Sequence, residues 1–175
     1  MEQDKHDRAI LATWDTNSAA WTTAVRNHLI PSRRAGTDAA ILQACARLRP
    51  KRILDIGCGE GWLTRALAAV AGEVVGIDGS PALIAPARAA GGQFDVMDYD
   101  AVTADPRLVA GPWDVIVCNF ALFGDPLAPL LAALGRRLPS TDALSSKPYI
   151  PGSPPKGDIP ADGARRHSPI SAVRF

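Results

Sequence analysis

The sequence lacks the features that would take the chain into a membrane or onto a nucleic acid. No apolar run approaches the roughly 20 residues that span a bilayer, and the N-terminal residues carry charges where a signal peptide needs an apolar core. With 19 basic and 18 acidic residues, the net charge of +1 provides no field that would attract a polyanion. These absences predict a cytoplasmic protein that binds neither nucleic acid nor membrane.

Cysteine and histidine are also scarce. The three cysteines, Cys45, Cys58 and Cys118, are odd in number and far apart, which fits neither a disulfide framework nor a zinc site. We expect Cys45 and Cys118 to be small core residues. Because no histidine lies between residues 51 and 138, that region has no imidazole to act as a base. The sequence therefore predicts no metal site and identifies no catalytic residue.

Helical spacing before residue 50 gives way to short apolar runs after it. Residues 7–30 and 37–48 have helical periodicity, with Thr37 as a plausible N-cap. From residue 51 to 138 helices alternate with strands, which we predict at residues 52–56, 73–78, 93–99 and 113–120. This alternation predicts an α/β fold, a Rossmann-like parallel sheet with helices on both faces.

The last part of the sequence differs from the rest. From residue 139 onward, 37 residues contain 7 of the 15 prolines and no helical or alternating pattern. We therefore predict three segments: an N-terminal helical cap (1–50), an incomplete Rossmann-like domain (51–138) and an irregular, proline-rich C-terminal tail (139–175).

A glycine-rich loop follows the first predicted strand. In the segment from Asp55 to Gly61, Gly57 and Gly59 precede the third glycine at positions where side chains would collide with a ligand approaching the backbone. Asp78 closes the next strand, 17 positions after Gly61, where a carboxylate can accept hydrogen bonds from both hydroxyls of a ribose. The pattern predicts a nucleoside-containing cofactor.

A dinucleotide is the alternative cofactor for such a loop. The dinucleotide fingerprint is G-x-G-x-x-G, whereas here Gly61 comes one position early and Trp62 follows it. A carboxylate at Asp55 would repel a diphosphate but suits a ligand with a cationic amino-acid end. The residues therefore favour a methyl donor over a dinucleotide.

Three motifs, LDIGCGEGWLTRALA, VVGIDGSPALI and FDVMDYD, resemble the successive cofactor motifs of the class I S-adenosylmethionine-dependent methyltransferases. This resemblance covers about residues 51–138. Residues 14–42 resemble, more loosely, the N-terminal helices of a small-molecule group near the ubiquinone-biosynthesis methyltransferases. The resemblance implies S-adenosylmethionine as cofactor, a small-molecule methyl acceptor, and a partial sheet with strand order 3-2-1-4.

The resemblance assigns the methionine end of the cofactor to the glycine loop. It implies that the backbone of Gly57, Gly59 and Gly61 lines the methionine part and that Asp55 lies near its ammonium group. Cys58, between two of these glycines, belongs to the same predicted site.

The resemblance assigns the rest of the cofactor to residues at the ends of the later strands. The resemblance implies that Asp78 holds the ribose hydroxyls and that Asp98, next to Tyr99, accepts from the adenine amino group. Asn119 and Phe120 would flank the sulfonium and the entrance to the substrate site. The predicted cofactor site also includes two residues that follow the second strand, Gly79 and Ser80.

The cap leaves two alternatives open. Arg33 and Arg34 either pair with the carboxylate of the cofactor or are surface charges. Trp14 and Trp21 either pack the cap onto the core or contact the substrate.

The family sheet has seven strands in the order 3-2-1-4-5-7-6, and the sequence offers only the first four. A shifted reading frame over residues 141–152 can encode a short apolar strand that resembles the fifth, so we expect a chain truncated or frameshifted after about residue 139. Residues 114–119 should then lie at a sheet edge, with no regular strand in residues 140–175. Two other functions remain: an inactive, non-catalytic cofactor-binding relic and a NAD-binding oxidoreductase.

Overall fold

A computed structural model describes residues 2–105, 107, 109, 111–123, 127–138 and 170–173. In these ranges no helix is long and apolar enough to cross a membrane. The elements in chain order are α1 (Glu2–Arg26), a π-helical turn (Arg33–Thr37), α2 (Asp38–Arg47), β1 (Arg52–Ile56), α3 (Trp62–Leu67), β2 (Glu73–Asp78), α4 (Pro81–Ala89), β3 (Gln93–Val96), α5 (Tyr99–Ala104), β4 (Val115–Asn119), α6 (Ala128–Gly135) and β5 (Ile170–Val173).

The five strands form one sheet in the order β3-β2-β1-β4-β5. The first four strands are parallel, with Leu54 of β1 opposite Val75 of β2 and Ile116 of β4. This arrangement confirms the predicted order 3-2-1-4. Parallel strands place their carboxyl ends at the same edge, which is where open α/β sheets bind ligands.

Helices cover both faces of the sheet because the central strands are apolar on both sides. One face packs against α5 and α6, and the other packs against α2 and α3. Alternate residues of β1 divide between the two clusters, with Ile53 on the α2–α3 side and Leu54 on the α5–α6 side. Cys45 and Cys118 are buried in these clusters, as predicted. The Rossmann-like architecture is therefore confirmed.

The cap differs from its prediction at both helix boundaries. Helix α1 ends at Arg26, and His28, two residues later, has a left-handed φ of 54°. The helix therefore ends before Pro31. Thr37 is not an N-cap, because its backbone is helical and its side chain makes no cap hydrogen bond. The turn that precedes α2 is kinked at Gly36, which has a non-helical φ of 149°, and the backbone is helical again at Thr37.

The third strand is shorter than predicted. Strand β3 ends at Val96, and Asp98 instead caps α5, its Oδ1 accepting from the Ala101 backbone N–H at 2.8 Å. A local side-chain to backbone hydrogen bond therefore ends the extended conformation here.

The structure corrects the prediction for the outer side of β4. Residues 170–173 form β5, which pairs antiparallel with β4 from Asn119 opposite Ile170 to Ile116 opposite Val173. The expectation that residues 114–119 lie at a sheet edge is therefore wrong, as is the expectation of no strand after residue 140. The last proline is Pro169, so the four residues after it are free to donate to a ladder. The rest of the predicted tail, and with it the proposed frameshift, lies outside the described residues.

Candidate functional site

A cavity of about 400 Å³ lies at the carboxyl ends of the parallel strands and is bounded on one side by α1. Nine of the twelve residues predicted for the cofactor site line it, and three do not, namely Asp55, Gly61 and Ser80. The structure thus brings most of the predicted site together at one place. The nine lining residues are Gly57, Cys58, Gly59, Asp78, Gly79, Asp98, Tyr99, Asn119 and Phe120.

The glycines of the loop take left-handed backbone conformations. Gly57 has a φ of 67°, and a Cβ at this position would overlap the side chain of Ala121. Gly59 has a φ of 58°, but a Cβ there would meet only Trp21 Nε1, at 3.6 Å. Gly57 is therefore required by packing and conformation, whereas Gly59 leaves open space that a ligand can occupy.

Asp78 is placed where a ribose-binding carboxylate is expected. Its Oδ2 accepts from the Gly59 backbone N–H and its Oδ1 from the Ser80 N–H, both at 2.9 Å. Burial raises the pKa of Asp78, and the hydrogen bonds from Ser80 and Gly59 oppose that rise. Asp78 thus connects the glycine loop to the end of β2 and presents its carboxylate on the cavity wall.

Asp55 lies behind the cavity wall. Its side chain is buried, and its Oδ2 accepts from the Thr64 hydroxyl of α3 at 2.7 Å. Burial raises the pKa of Asp55 to about 7, although the hydrogen bond from Thr64 works in the opposite direction. In this structure Asp55 connects the end of β1 to α3, the two elements that flank the glycine loop. Its role near an ammonium group stays a prediction.

Ser80 and Asp98 act as helix caps. Ser80 Oγ accepts from the Leu83 N–H at 3.2 Å, with Pro81 at the first position of α4, so Ser80 is the N-cap of this helix. The Ser80 hydroxyl also donates to Asp15 of α1. Asp98 lines the cavity while it caps α5, and its contact with an adenine amino group stays a prediction.

Tyr99 joins two loops at the base of the cavity. Its hydroxyl donates to the Ala121 carbonyl oxygen, which fixes the segment after β4 against the start of α5. Burial is the main cause of a rise in the pKa of Tyr99, so the phenol is protonated and is not a base at neutral pH.

Helix α1 is anchored over the glycine loop by an ion pair between half-exposed Arg26 and a buried carboxylate. The Glu60 carboxylate, whose side chain is inaccessible, accepts from Arg26 Nε at 2.9 Å and from Arg65 Nη2 at 2.8 Å. Arg26 also donates to the Pro86 carbonyl oxygen of α4 at 2.8 Å. Arg26 therefore connects α1 both to the buried Glu60 of the glycine loop and to α4.

Aromatic side chains form the wall opposite the sheet. Trp14 packs edge-on against Trp21 with ring centroids 5.4 Å apart, and its ring lies 5.9 Å from that of Phe123. All three residues line the cavity, so the two tryptophans lie where a substrate could reach them, and contact with a substrate stays a prediction. Sequence reasoning missed Phe123 and Leu11, and the apolar stripe of α1 was the available signal for the latter.

Arg33 is buried, unlike its exposed neighbour Arg34. Its Nε donates to Asp38 Oδ1 at 2.8 Å, and its guanidinium carbon lies 4.2 Å from the centroid of the Trp62 ring. Its Nη1 is enclosed and has no hydrogen-bond partner among the described residues. Arg33 lines the cavity, so an anionic group bound there could satisfy this donor.

Comparison with known proteins identifies the family of the domain that contains this cavity. Residues 53–139 match the family model of a methyltransferase domain. The chain is 29% identical to a TehB-like SAM-dependent methyltransferase from Corynebacterium glutamicum, with a TM-score of 0.52 over 70% of this chain and 67% of that one. This chain carries an S-adenosylmethionine-dependent methyltransferase domain. The resemblance predicted from its motifs is confirmed.

Two curated relatives match the domain over part of their length. A ubiquinone biosynthesis O-methyltransferase from Cereibacter sphaeroides is 39% identical over 85 residues, which is 46% of this chain and 34% of that protein. A trans-aconitate 2-methyltransferase from Streptomyces avermitilis is 40% identical over 81 residues, 42% of this chain and 29% of that protein. The matched part of this methyltransferase domain thus spans about a third of these relatives.

Proposed function

We propose that this chain binds S-adenosylmethionine and transfers its methyl group to a small molecule. The observation that carries the proposal is Asp78, which presents its carboxylate to the cavity while holding the Gly59 N–H. A carboxylate in this place can accept from two ribose hydroxyls, and the open space beside Gly59 admits a ligand to the backbone. The described residues therefore fit the cofactor that the family uses.

Arg33 supports the assignment of the methionine end. Its unpartnered Nη1 is a buried cationic donor, and a buried donor without a partner is unfavourable. The carboxylate of the cofactor would satisfy it with a charge-assisted hydrogen bond. We therefore propose that the methionine part lies between Arg33 and the glycine loop, and that Arg33, not Arg34, makes the contact.

Methyl transfer makes modest demands on the protein. When bound, the cofactor supplies a sulfonium whose methyl group is open to in-line attack. The residues of this chain orient the two reactants and exclude water, and both effects lower the barrier without an acid or base. Trp14, Phe120 and Phe123 form the apolar wall that excludes water.

The acceptor belongs to the class of small molecules. The cavity of about 400 Å³ is too small for a folded macromolecule, and its outer wall is aromatic. The printed names of the two curated relatives refer to ubiquinone biosynthesis and trans-aconitate, which are small-molecule chemistries. A cytoplasmic location and independence from nucleic acid and membrane stay predictions from the sequence.

Isothermal titration with S-adenosylhomocysteine, S-adenosylmethionine and NAD tests the proposal. We expect both sulfur-containing ligands to bind and NAD to bind more weakly. Arg33→Ala should weaken S-adenosylhomocysteine at least about 10-fold, because it removes a charge-assisted hydrogen bond of roughly 1.5–3 kcal/mol. The matched control Arg34→Ala, at an exposed neighbouring position, should leave the affinity unchanged.

Three results would contradict this assignment. Tighter binding of NAD would favour an oxidoreductase. Equal loss in the two arginine variants would show that Arg33 acts only through net charge. Binding without methyl transfer to any small molecule in a broad panel would indicate a non-catalytic cofactor-binding protein.

A further inference from the structure

We infer that Leu11 of α1 forms one wall of the nucleoside-binding part of the cavity and contacts the adenine base of the cofactor. This inference rests on the proposed function and adds a residue of the N-terminal cap to the cofactor site. Leu11 lines the cavity together with Asp78 and Gly79 at the end of β2 and with Asp98, the N-cap of α5. A side chain from a distant segment therefore lies where we propose that the ribose and the base bind.

Gly79 shows how closely Leu11 approaches the end of β2. A Cβ added at Gly79 would lie 2.6 Å from Leu11 Cδ2 and 3.3 Å from Asp98 Cβ, so these three residues meet at one point. The φ of Gly79 is not positive, so the backbone conformation does not require glycine at this position. Glycine is needed here for space, and that space is taken by the side chain of Leu11.

The close approach leaves β2 without a side chain at the first position after Asp78. In the proposed function, Asp78 holds the ribose, and the attached base extends past Gly79 towards Asp98. The base needs an apolar surface to exclude water from its faces, and Gly79 offers only backbone. Leu11 supplies this surface from α1, because its side chain lies directly against Gly79.

Polar contacts hold α1 in register with the end of β2. The Ser80 hydroxyl donates to Asp15, which lies four residues after Leu11 and therefore on the same face of the helix. Gly79 and Ser80 thus contact successive turns of α1. Near the end of the helix, Arg26 pairs with the glycine loop. The position of Leu11 over the end of β2 is therefore fixed by contacts on its C-terminal side.

Leu11 differs from the aromatic side chains that α1 brings to the same cavity. Trp14 packs against Trp21 and Phe123. Trp21 Nε1 lies 3.6 Å from the place that a Cβ would take at Gly59. The aromatic side chains therefore face the glycine loop and the segment after β4, whereas Leu11 faces the end of β2. Removing Leu11 should accordingly affect the nucleoside and not the amino-acid end of the cofactor.

Nuclear Overhauser effects test the contact directly. The full chain, labelled with ¹³C at its leucine methyl groups, is saturated with S-adenosylhomocysteine, and the Leu11 signals are identified by their absence in Leu11→Ala. We expect cross-peaks between the Leu11 methyl groups and the carbon-bound protons of the adenine ring. The methyl groups of Leu29, which is 61% exposed, should give none. Absence of the Leu11 cross-peaks in a saturated sample would overturn the inference.

Affinities separate a contact with the base from a role in holding α1. The ligand 5′-methylthioadenosine keeps the nucleoside of S-adenosylhomocysteine and lacks its amino-acid end. Leu11→Ala should weaken both ligands by the same factor, about 5- to 20-fold, because one lost methylene contact is worth about fourfold. Alanine is as good a helix former as leucine, so the helix itself is not weakened. A variant that only loosened α1 would also disturb Trp21 beside Gly59, and S-adenosylhomocysteine would lose several times more affinity than the shorter ligand.

Two further variants serve as controls. Leu29→Ala removes the same atoms from an exposed position of the cap and should leave both affinities unchanged. Leu11→Met keeps an apolar side chain of similar volume and should bind both ligands within about 3-fold of the unaltered chain. Equal loss in Leu29→Ala, or a loss confined to S-adenosylhomocysteine, would contradict the contact with the base. Failure of S-adenosylhomocysteine to bind the unaltered chain would instead overturn the proposed function.

Discussion

The two sides of the cavity differ in how far their polar groups are already paired. On the side of β1, β2 and β3, Asp55, Asp78 and Asp98 each accept hydrogen bonds from Thr64 or from backbone N–H groups. At the end of β4, Asn119 Oδ1 has no partner among the described residues, and the next residue has a left-handed backbone. Apart from Arg33 Nη1, which also lacks a partner among the described residues, the polar groups named on the cofactor side are paired before a ligand binds, whereas Asn119 Oδ1 at the end of β4 is not.

The difference follows from what each side has to recognise. A cofactor presents the same groups in every turnover, so fixed dipoles and preformed loops lower the cost of binding it. Helix α1 contributes to this fixed side through the partly buried pair between Arg26 and Glu60. Strain and unmet hydrogen bonds are expected where a protein binds its specific ligand.

The largest expected effect comes from removing the carboxylate that joins the loop to the cavity. Asp78→Ala should weaken S-adenosylhomocysteine roughly 10²- to 10⁴-fold, because two charge-assisted hydrogen bonds of about 1.5–3 kcal/mol each are lost. It should also loosen the loop, since Gly59 loses its acceptor. Titration calorimetry measures the affinity.

Asp95 provides a matched control for Asp78. Its carboxylate lies in β3, is largely exposed and pairs with Arg88 at 3.4 Å. Asp95→Ala should therefore leave the affinity unchanged. An unchanged affinity in Asp78→Ala would show that the ribose is not bound at β2, and the comparison between the two sides would lose its main support.

The next effect tests whether Asp55 supports the fold. Because burial raises its folded pKa from 3.8 to about 7, the folded state binds this proton more tightly than the unfolded state does. Stability from this group is therefore complete below about pH 4 and is lost as the pH rises towards 7. Asp55→Asn keeps an acceptor for Thr64 and should stabilise the protein at pH 8 by up to about 4 kcal/mol.

Thermal unfolding of the two proteins at pH 4, 6 and 8 measures this difference. The advantage of the variant should shrink as the pH falls and vanish near pH 4. A constant difference across the range would mean that the titration of Asp55 does not differ between the folded and unfolded states. Loss of S-adenosylhomocysteine binding in a stabilised variant would support the predicted contact with the ammonium group.

Some features of the fold and site could be predicted because they depend on local patterns. The apolar runs before Asp55 and Asp78 defined β1 and β2, since a strand buried on both faces needs little else. The strand period also explains Asp55: alternate residues share a face, so it lies on the side of Ile53 and α3. Applied to the sequence, this argument would have placed Asp55 behind the cavity.

Features that depend on long-range contacts could not be predicted. The burial of Arg33 results from its packing on Trp62, and these residues are brought together only by the tertiary fold. The pairing of β5 with β4 joins residues more than 50 positions apart, and four residues after Pro169 carry no distinct signal. The sequence predicts an extended segment through Asp98. In the structure the strand ends earlier, because the Asp98 side chain accepts from the Ala101 N–H and caps α5.

The smallest effect separates two roles of Asp98. As an N-cap, its carboxylate satisfies the Ala101 N–H, so Asp98→Ala should cost about 1 kcal/mol of stability, a fall of roughly 2–4 °C in Tm. Asp98→Asn keeps a capping oxygen and should cost little. In a cofactor-free sample this difference in Tm reports the cap alone.

The predicted hydrogen bond from the adenine amino group to Asp98 is tested separately, by titrating both variants with S-adenosylhomocysteine. If Asn restores Tm but not affinity, the adenine needs the charge and the two roles are distinct. If both variants bind as tightly as the unaltered chain, Asp98 is only a cap, and the cofactor side of the cavity ends at β2.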